Sequence, residues 1–351
     1  MEETKGFRVE EVLPGIYRIP VPLTGNPLRE LNSYVIKGDM EGNKARGTTR
    51  HLLVDTGFRT DECKEAIGRG MDQIGICMRD TDILLTHLHV DHSGNAADFA
   101  CEGSKVYIGQ IDGEYLLGSD DTYDPERDMM LTRYIRDRIR RMREHGIPEH
   151  VIDEMVEATP SRTKGGSTEF RDYNMLKDGD VLQVGEYRLK AIATPGHTPG
   201  QMCFEIEGTG AMILGDHVLF DITPNITDWP DMEDSLGEYL DSLEKIEQYD
   251  VTIPLPGHRK PGDFHARVAV LKEHHRRRLM ECRDVIHELG HATLYDITGR
   301  MKWKIRSADW DSFPPAQRWF ALGECLSHID YLLKRGLIIK HEEEGVIWYE
   351  A

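Results

Sequence analysis

The chain contains 351 residues, of which 39% are hydrophobic and 30% are charged, and its formal net charge is -19. This length allows one large domain with an appendage or two domains, with enough apolar residues for a core. The acidic balance argues against a general polyanion binder, because affinity for nucleic acids depends largely on phosphate neutralisation by Lys and Arg.

The sequence also indicates a compartment. Its apolar runs fall short of the roughly 18 residues that a membrane-spanning helix needs. The first residues lack the basic-then-apolar pattern of a secretory signal. The six cysteines are widely spaced, with no CxxC pair. We therefore expect a cytoplasmic protein with reduced thiols and no membrane partner.

Short strands open the chain. They are predicted at residues 15–22, 33–36 and 51–54, between Gly, Pro and Asn residues. The third strand ends at Asp55, for which two interpretations are equally supported. Its carboxylate accepts a hydrogen bond from a metal-ligand histidine, or it forms a turn by bonding its own backbone.

A histidine-rich segment follows the apolar run 83–85. Residues 86–94 hold three histidines and one aspartate, and these side chains are common ligands of zinc and related divalent metals. If the chain is extended there, His87 and His89 point to the same side. Asp91 and His92 then reach a second point nearby, so that one segment can serve two metal ions.

Residues from about 113 to 172 interrupt the strands with a predicted helical insertion. Its first helix carries six arginines in eleven residues, and a second helix spans 148–157. The arginines form a solvated face paired with acids, or a lid that contacts an anionic substrate through Arg136, Arg140 and Arg143. Residues 161–167 are predicted to be a mobile loop.

Three later strands each lead to a residue that can bind metal. Strand 187–192 leads to His197, which lies in a loop with two prolines and two glycines. Strands 211–214 and 251–255 lead to Asp216 and His258. Taken singly, each such residue is more often part of a structural turn, but three of them in one chain with the histidine-rich segment favour a shared metal site. The neighbouring His217 either contacts substrate or is a supporting or surface imidazole.

These motifs, in this order, resemble those of the metallo-β-lactamase-fold superfamily, and the resemblance covers about residues 8 to 275. They are VDTG at 54–57, HxHxDH at 87–92, GHTPG at 196–200, GD at 215–216 and GH at 257–258. The resemblance implies an α+β fold, a four-layered αββα sandwich with its site at one edge of the two sheets. It also implies that one metal is held by His87, His89 and His197, the other by Asp91, His92 and His258, and that Asp216 bridges them.

The resemblance implies two divalent ions, which we expect to be zinc, with iron and manganese left open. A water shared by two such ions becomes a metal-bound hydroxide near neutral pH. Asp91, which matches the family position that orients the nucleophile, is the predicted catalytic residue. We expect a hydrolase of a small-molecule ester, thioester or lactone. The alternative is an RNA phosphodiester hydrolase, which the acidic composition disfavours.

The chain changes character from about residue 264. Two amphipathic helices, the first ending before Gly290, precede two short strands at 337–340 and 346–349. This tail resembles a winged helix, so we predict a catalytic domain over 1–263 and a small winged-helix-like domain over 264–351. The tail packs against the site or forms a homo-oligomer. Otherwise the helix containing Trp319 reads DNA, which would make the protein a ligand-sensing regulator.

Overall fold

The computed structural model describes residues 7–38, 50–118, 122–124, 129–131, 133–158, 172–304, 307 and 309–351. The predicted mobile loop at 161–167 lies outside these residues. Within the described ranges, no helix is both long and apolar enough to cross a membrane.

A seven-stranded sheet occupies the first half of the chain. Its strands, in spatial order, are β1 (Glu10–Leu13), β2 (Ile16–Leu23), β3 (Arg29–Ile36), β4 (His51–Val54), β5 (Thr81–Leu85), β6 (Val106–Gly109) and β9 (Tyr173–Leu176). The pairs from β1 to β4 are antiparallel, and those from β4 through β9 are parallel. Helix α1 (Asp61–Gln73) joins β4 to β5, and the Thr60 hydroxyl accepts a hydrogen bond from its first turn. The shorter helices are α2 (Val90–Ser93), α3 (Ala96–Phe99) and α4 (Gln110–Leu117).

A five-stranded sheet follows. Its order is β10 (Val181–Val184), β11 (Tyr187–Ala193), β12 (Met202–Ile206), β13 (Ala211–Gly215) and β14 (Ile253–Pro256), and only the β13–β14 pair is parallel. Helices α7 (Ser235–Glu247) and α8 (Phe264–Leu289) share an apolar cluster with this sheet. A second cluster combines Tyr34 and Leu84 of the first sheet with Phe204 and Ile213 of the second. A third lies between α1 and the first sheet. The expected α+β class is therefore confirmed.

The helical insertion packs against the C-terminal segment. It contains the strands β7 (Thr122–Asp124) and β8 (Met129–Leu131) and the helices α5 (Arg133–Glu144) and α6 (Glu149–Ala158). The C-terminal segment contributes α8, α9 (Leu294–Arg300), α10 (Pro315–Lys334) and the hairpin β15 (Ile339–Glu343) and β16 (Val346–Glu350). One apolar cluster includes Ile139 of α5, Ile152 of α6, Ile286 of α8 and Leu326 of α10. The insertion and the tail thus share a core.

Helix α10 is the central helix of this unit. It contacts α6, α7, α8 and α9, and 11 of its 20 residues, Trp319 among them, are buried. Reading a DNA groove requires a helix with an open face. The burial of α10 therefore argues against DNA reading by the Trp319 helix.

Candidate metal centre

The candidate centre lies where strand ends of the two sheets meet. Strands β4 and β5 are parallel, so Asp55 and the histidine-rich segment 86–94 leave the first sheet at the same edge. Strands β13 and β14 are also parallel, so Asp216 and His258 leave the second sheet together. His197 lies on the loop between β11 and β12.

The structure brings the seven predicted ligands together. They form three overlapping groups, within each of which the ligand atoms lie within 4.8 Å of one another: His87, His89 and His197; His87, His92 and Asp216; Asp91, His92 and His258. Nε2 of His92 lies 3.2 Å from Nε2 of His258, and the two carboxylate oxygens of Asp216 lie 3.5 Å from these same two nitrogens. Asp216 is therefore placed between the groups.

Three of the imidazoles are oriented by hydrogen bonds on their far side. Nδ1 of His92 lies 2.8 Å from the Asp55 carboxylate, and Nδ1 of His197 lies 2.8 Å from the carbonyl oxygen of Asn225. Nδ1 of His258 lies 2.8 Å from the carbonyl oxygen of Glu30. Because each Nδ1 donates to an oxygen, each Nε2 is directed to the centre, where it can serve as a metal ligand.

The donor atoms fit divalent cations. Nε2 of His197 and Oδ1 of Asp216 are buried and have no hydrogen-bond partner among the described residues. Buried polar atoms without partners are costly, and a bound cation removes that cost. Imidazole nitrogens together with carboxylate oxygens are typical ligands of zinc, iron and manganese.

The charged groups at the centre affect one another's ionisation. Burial raises the pKa of Asp91, but the opposing effect of His92 and His258 is larger and holds this pKa below its usual range. Burial also opposes ionisation of Asp216, and the same two imidazoles lower the pKa of this carboxyl. Both carboxylates are therefore ionised at neutral pH, as metal binding requires.

Asp55 takes the first of its two predicted roles. Its carboxylate accepts hydrogen bonds from the backbone N–H and the hydroxyl of Thr86, both at 2.9 Å, in addition to the one from His92. Its backbone has a φ of 60°, which non-glycine residues adopt rarely. Asp55 thus fixes the start of the histidine-rich segment and orients one candidate ligand, His92.

His217 follows the candidate ligand Asp216 in the chain. Its side chain is fully buried, and its ring makes an edge-to-face contact with Tyr239 at 5.1 Å between centroids. Burial lowers its pKa to about 3. This position favours the supporting alternative, and substrate contact by His217 stays a prediction.

The outer arginines of α5 meet acidic side chains. Arg140 lies 3.1 Å from Glu144, and Arg143 makes two hydrogen bonds to Glu149 at 2.6 and 2.8 Å. These ion pairs favour the solvated-face alternative, and substrate contact by Arg136, Arg140 and Arg143 stays a prediction. The inward-facing guanidinium of Arg138 is instead buried over the Trp319 ring.

Two supporting features were not predicted from the sequence. Asp112, in α4, hydrogen-bonds to both loops that carry His87, His89 and His197. Trp229 donates to the carbonyl oxygen of His197 at 3.2 Å. The signal for Asp112 is weak, because a single aspartate in the first turn of a helix is common for electrostatic reasons alone.

The chain belongs to the metallo-β-lactamase superfamily. The sequence profile described as Metallo-beta-lactamase superfamily matches residues 29–258. This range includes all seven predicted ligands.

Solved structures share the fold. A metallo-beta-lactamase family protein from Thermus thermophilus is 27% identical with a TM-score of 0.76, over 97% of this chain and 100% of that chain. A beta-lactamase domain protein from Burkholderia ambifaria is 24% identical with a TM-score of 0.72, over 98% of this chain and 95% of that chain. The tail is thus included in both matches.

Curated relatives include proteins named as thioesterases. An atrochrysone carboxyl ACP thioesterase of Paecilomyces divaricatus is 25% identical over 172 residues, 47% of this chain and 52% of the relative. Another of the same name from Aspergillus novofumigatus is 24% identical over 255 residues, 71% of this chain and 56% of the relative. The chain spans about half the length of these relatives.

Proposed function

We propose that the protein is a metal-dependent hydrolase that cleaves small-molecule thioesters with two divalent ions, most simply zinc. The observation that carries this proposal is the convergence of seven imidazole and carboxylate ligands at one edge of the two sheets. Membership of the superfamily and the thioesterase names of relatives support it.

The proposed ligand assignment follows the three groups. His87, His89 and His197 would hold one ion, Asp91, His92 and His258 the other, and Asp216 both. Bound there, divalent ions supply an acidified water and a positive charge that polarises the acyl oxygen.

The chain's own groups position the reactants. The ionised Asp91 carboxylate, 3.3 Å from Nε2 of His258, accepts a hydrogen bond from the attacking water and directs its oxygen towards the acyl carbon. The titratable side chains described at the centre are mainly the ligands themselves. A thioester suits such a site, because a thiol has a pKa of about 8.5 and departs as thiolate without a general acid.

We also propose a four-layered sandwich and a winged-helix-like tail. The succession of apolar clusters, from α1 through the two sheets to α7 and α8, supports the first. For the second, Tyr349 of β16 forms a single antiparallel β-bridge with Ala292 before α9, beside the two-stranded hairpin. In this proposal the tail braces the centre and does not bind DNA.

The first test is metal content and substrate choice. Elemental analysis after saturation and dialysis should find close to two ions per chain. For the same acyl group, kcat/KM for a thioester should exceed that for the oxygen ester by at least about tenfold, because an alkoxide is a poorer leaving group than a thiolate. A tenfold ratio corresponds to a difference of about 1.4 kcal/mol in activation free energy.

Two results would contradict the proposal. One ion at most would remove the dinuclear site. Faster cleavage of a phosphodiester such as bis(p-nitrophenyl) phosphate or single-stranded RNA would favour the phosphodiesterase alternative. Duplex DNA at low salt serves as a further probe, because a DNA-binding regulator would show affinity that falls steeply as salt is added.

A further inference from the structure

We propose that Asp112 is a positioning residue that holds the two loops around the His87, His89 and His197 ion in register. This inference rests on the proposed metal centre. It assigns a function to a carboxylate that lies outside the ligand set.

The side chain of Asp112 is fully buried and its oxygens are divided between the two loops. Oδ2 accepts a hydrogen bond at 2.8 Å from the backbone N–H of Leu88, which lies between His87 and His89. The same oxygen accepts one at 2.6 Å from the hydroxyl of Thr198, the residue after His197. One carboxylate oxygen therefore links the ligand loops of the two sheets.

The second oxygen adds a further link. Oδ1 accepts a hydrogen bond at 2.6 Å from the backbone N–H of Gly200. A buried carboxylate is costly unless it is fully hydrogen-bonded, and hydrogen bonds to charged acceptors are the stronger ones. Three donors aimed at one carboxylate hold it firmly, and through it they hold Leu88, Thr198 and Gly200.

The backbone leaves no room for another arrangement at this contact. A Cβ on Gly109, before α4, would lie 2.1 Å from the carbonyl oxygen of Gly200. A Cβ on Gly200 would lie 2.2 Å from the backbone nitrogen of Asp112. The backbone at the junction of β6 and α4 thus contacts the GHTPG loop directly, and the Asp112 side chain hydrogen-bonds to that loop.

The other group of ligands has different supports. His92 is oriented by Asp55, and His258 by the carbonyl oxygen of Glu30. Loss of the Asp112 carboxylate should therefore weaken one ion selectively, whereas a general loss of structure would weaken both.

The test is Asp112→Asn in the full chain. Asparagine keeps the size of the side chain but has only one acceptor oxygen. Its amide NH2 group therefore faces another donor, either the N–H of Gly200 or the donors of Leu88 and Thr198, and those hydrogen bonds are lost. With Co²⁺ as the probe, chelator competition should show one ion bound at least about tenfold more weakly, the range expected when a group that supports a metal ligand is lost.

The visible spectrum identifies which ion is lost. The spectrum of the one-cobalt form of Asp112→Asn should match that of His197→Ala and differ from that of His258→Ala. Thr198→Val, which removes one hydrogen bond at nearly constant volume, should weaken the same ion to a smaller extent. This milder variant keeps the inference testable if Asp112→Asn does not fold.

The matched control is Asp82→Asn. Asp82 is a buried carboxylate on β5 that accepts a backbone N–H from Lys105 at 3.0 Å, away from the ligand-bearing end of the strand. This variant should keep both ions. Wild-type affinity for both ions in Asp112→Asn and Thr198→Val, or equal weakening of both, would overturn the inference. Neither result depends on which substrate is cleaved, so the proposed thioesterase activity is tested separately.

Discussion

Asp216 lies in the middle of the candidate centre. Its Oδ2 is 3.5 Å from Nε2 of His258 and 3.8 Å from Nε2 of His197, while Oδ1 faces His92. Each ligand group therefore has a nitrogen within 4 Å of this carboxylate. This position is the one that the proposed bridging role of Asp216 requires.

Asp216→Ala should remove most hydrolytic activity. Support residues of metal ligands typically contribute 10–100-fold, so loss of a shared ligand should lower thioester turnover by at least about 100-fold. The circular dichroism spectrum should stay that of the wild type, because the sheets are held by clusters outside the centre. Turnover equal to wild type would remove Asp216 from the site.

The candidate ligands can be predicted from the sequence more readily than the residues that orient them. Four ligands fall within six residues, so their residue types alone predict a metal site. Asn225 contributes only its carbonyl oxygen, which every residue possesses, and its side chain therefore carries no signal. Asp112 acts across 86 residues on Thr198, and such a contact is set by how β6 and β12 are placed in space.

The segment from 217 to 234 connects the metal centre with the C-terminal helices. It supplies the Asn225 oxygen that orients His197. The hydroxyl of Ser327 on α10 donates to the carbonyl oxygen of Ile226 at 2.8 Å. At the end of the segment, Arg335 donates to Asp234 at 2.7 Å. Helix α10 thus braces the segment that orients the candidate ligand His197.

Gly323→Ala should disturb this brace. A Cβ on Gly323 would lie 2.0 Å from Oγ1 and 3.1 Å from Cβ of Thr227, and 2.2 Å from Nη2 of the buried Arg138. The segment must move to make room. We expect a several-fold fall in kcat and a loss of about 1–3 kcal/mol in the free energy of unfolding, as for other overpacked cores.

The control for this substitution is Gly68→Ala in α1, where a Cβ meets no atom within 4 Å. Alanine favours the helix over glycine by up to about 1 kcal/mol, so this variant should be slightly more stable with unchanged turnover. If Gly323→Ala behaves like Gly68→Ala in urea unfolding and kinetics, α10 does not brace the segment.

The molecule as a whole was only partly predictable. Strand β4 and the end of α8 before Gly290 match the prediction, because the composition of a strand and a glycine after a helix are local signals in the sequence. Gly290 has a φ of 73°, which glycine adopts readily. The shared core of the insertion and the tail was not predicted. The apolar residues of α5 indicate that a partner exists, but Ile286 and Leu326, which meet them, are about 150 to 190 residues away. Sequence periodicity describes one element at a time and does not show which apolar faces pair.

Buried histidines make the stability of this shared core depend on pH. Nδ1 of His328 donates to the carbonyl oxygen of Glu324 at 2.6 Å, and burial lowers the pKa of His328 to about 3. Burial also lowers the pKa of His145, which hydrogen-bonds to Tyr349, to about 4. In the unfolded chain an imidazole has a pKa of about 6.5. Below pH 6.5 the unfolded chain therefore binds protons that the folded chain does not. As the pH is lowered, the free energy of unfolding falls by up to about 1.4 kcal/mol per pH unit for each histidine.

His328→Gln should lessen this dependence. The variant will be less stable than wild type at pH 7 because a packed ring is lost. Between pH 7 and pH 5, however, its free energy of unfolding should fall by about 2 kcal/mol less than that of wild type, since one proton-linked group is gone. Urea unfolding of the metal-saturated proteins measures the difference, and effects of pH on metal binding are common to both. The control His150→Gln changes an exposed histidine of α6. Its free energy of unfolding should fall between pH 7 and pH 5 by the same amount as that of wild type. Equal losses in wild type and His328→Gln would mean that His328 takes up its proton in the folded protein as readily as in the unfolded chain.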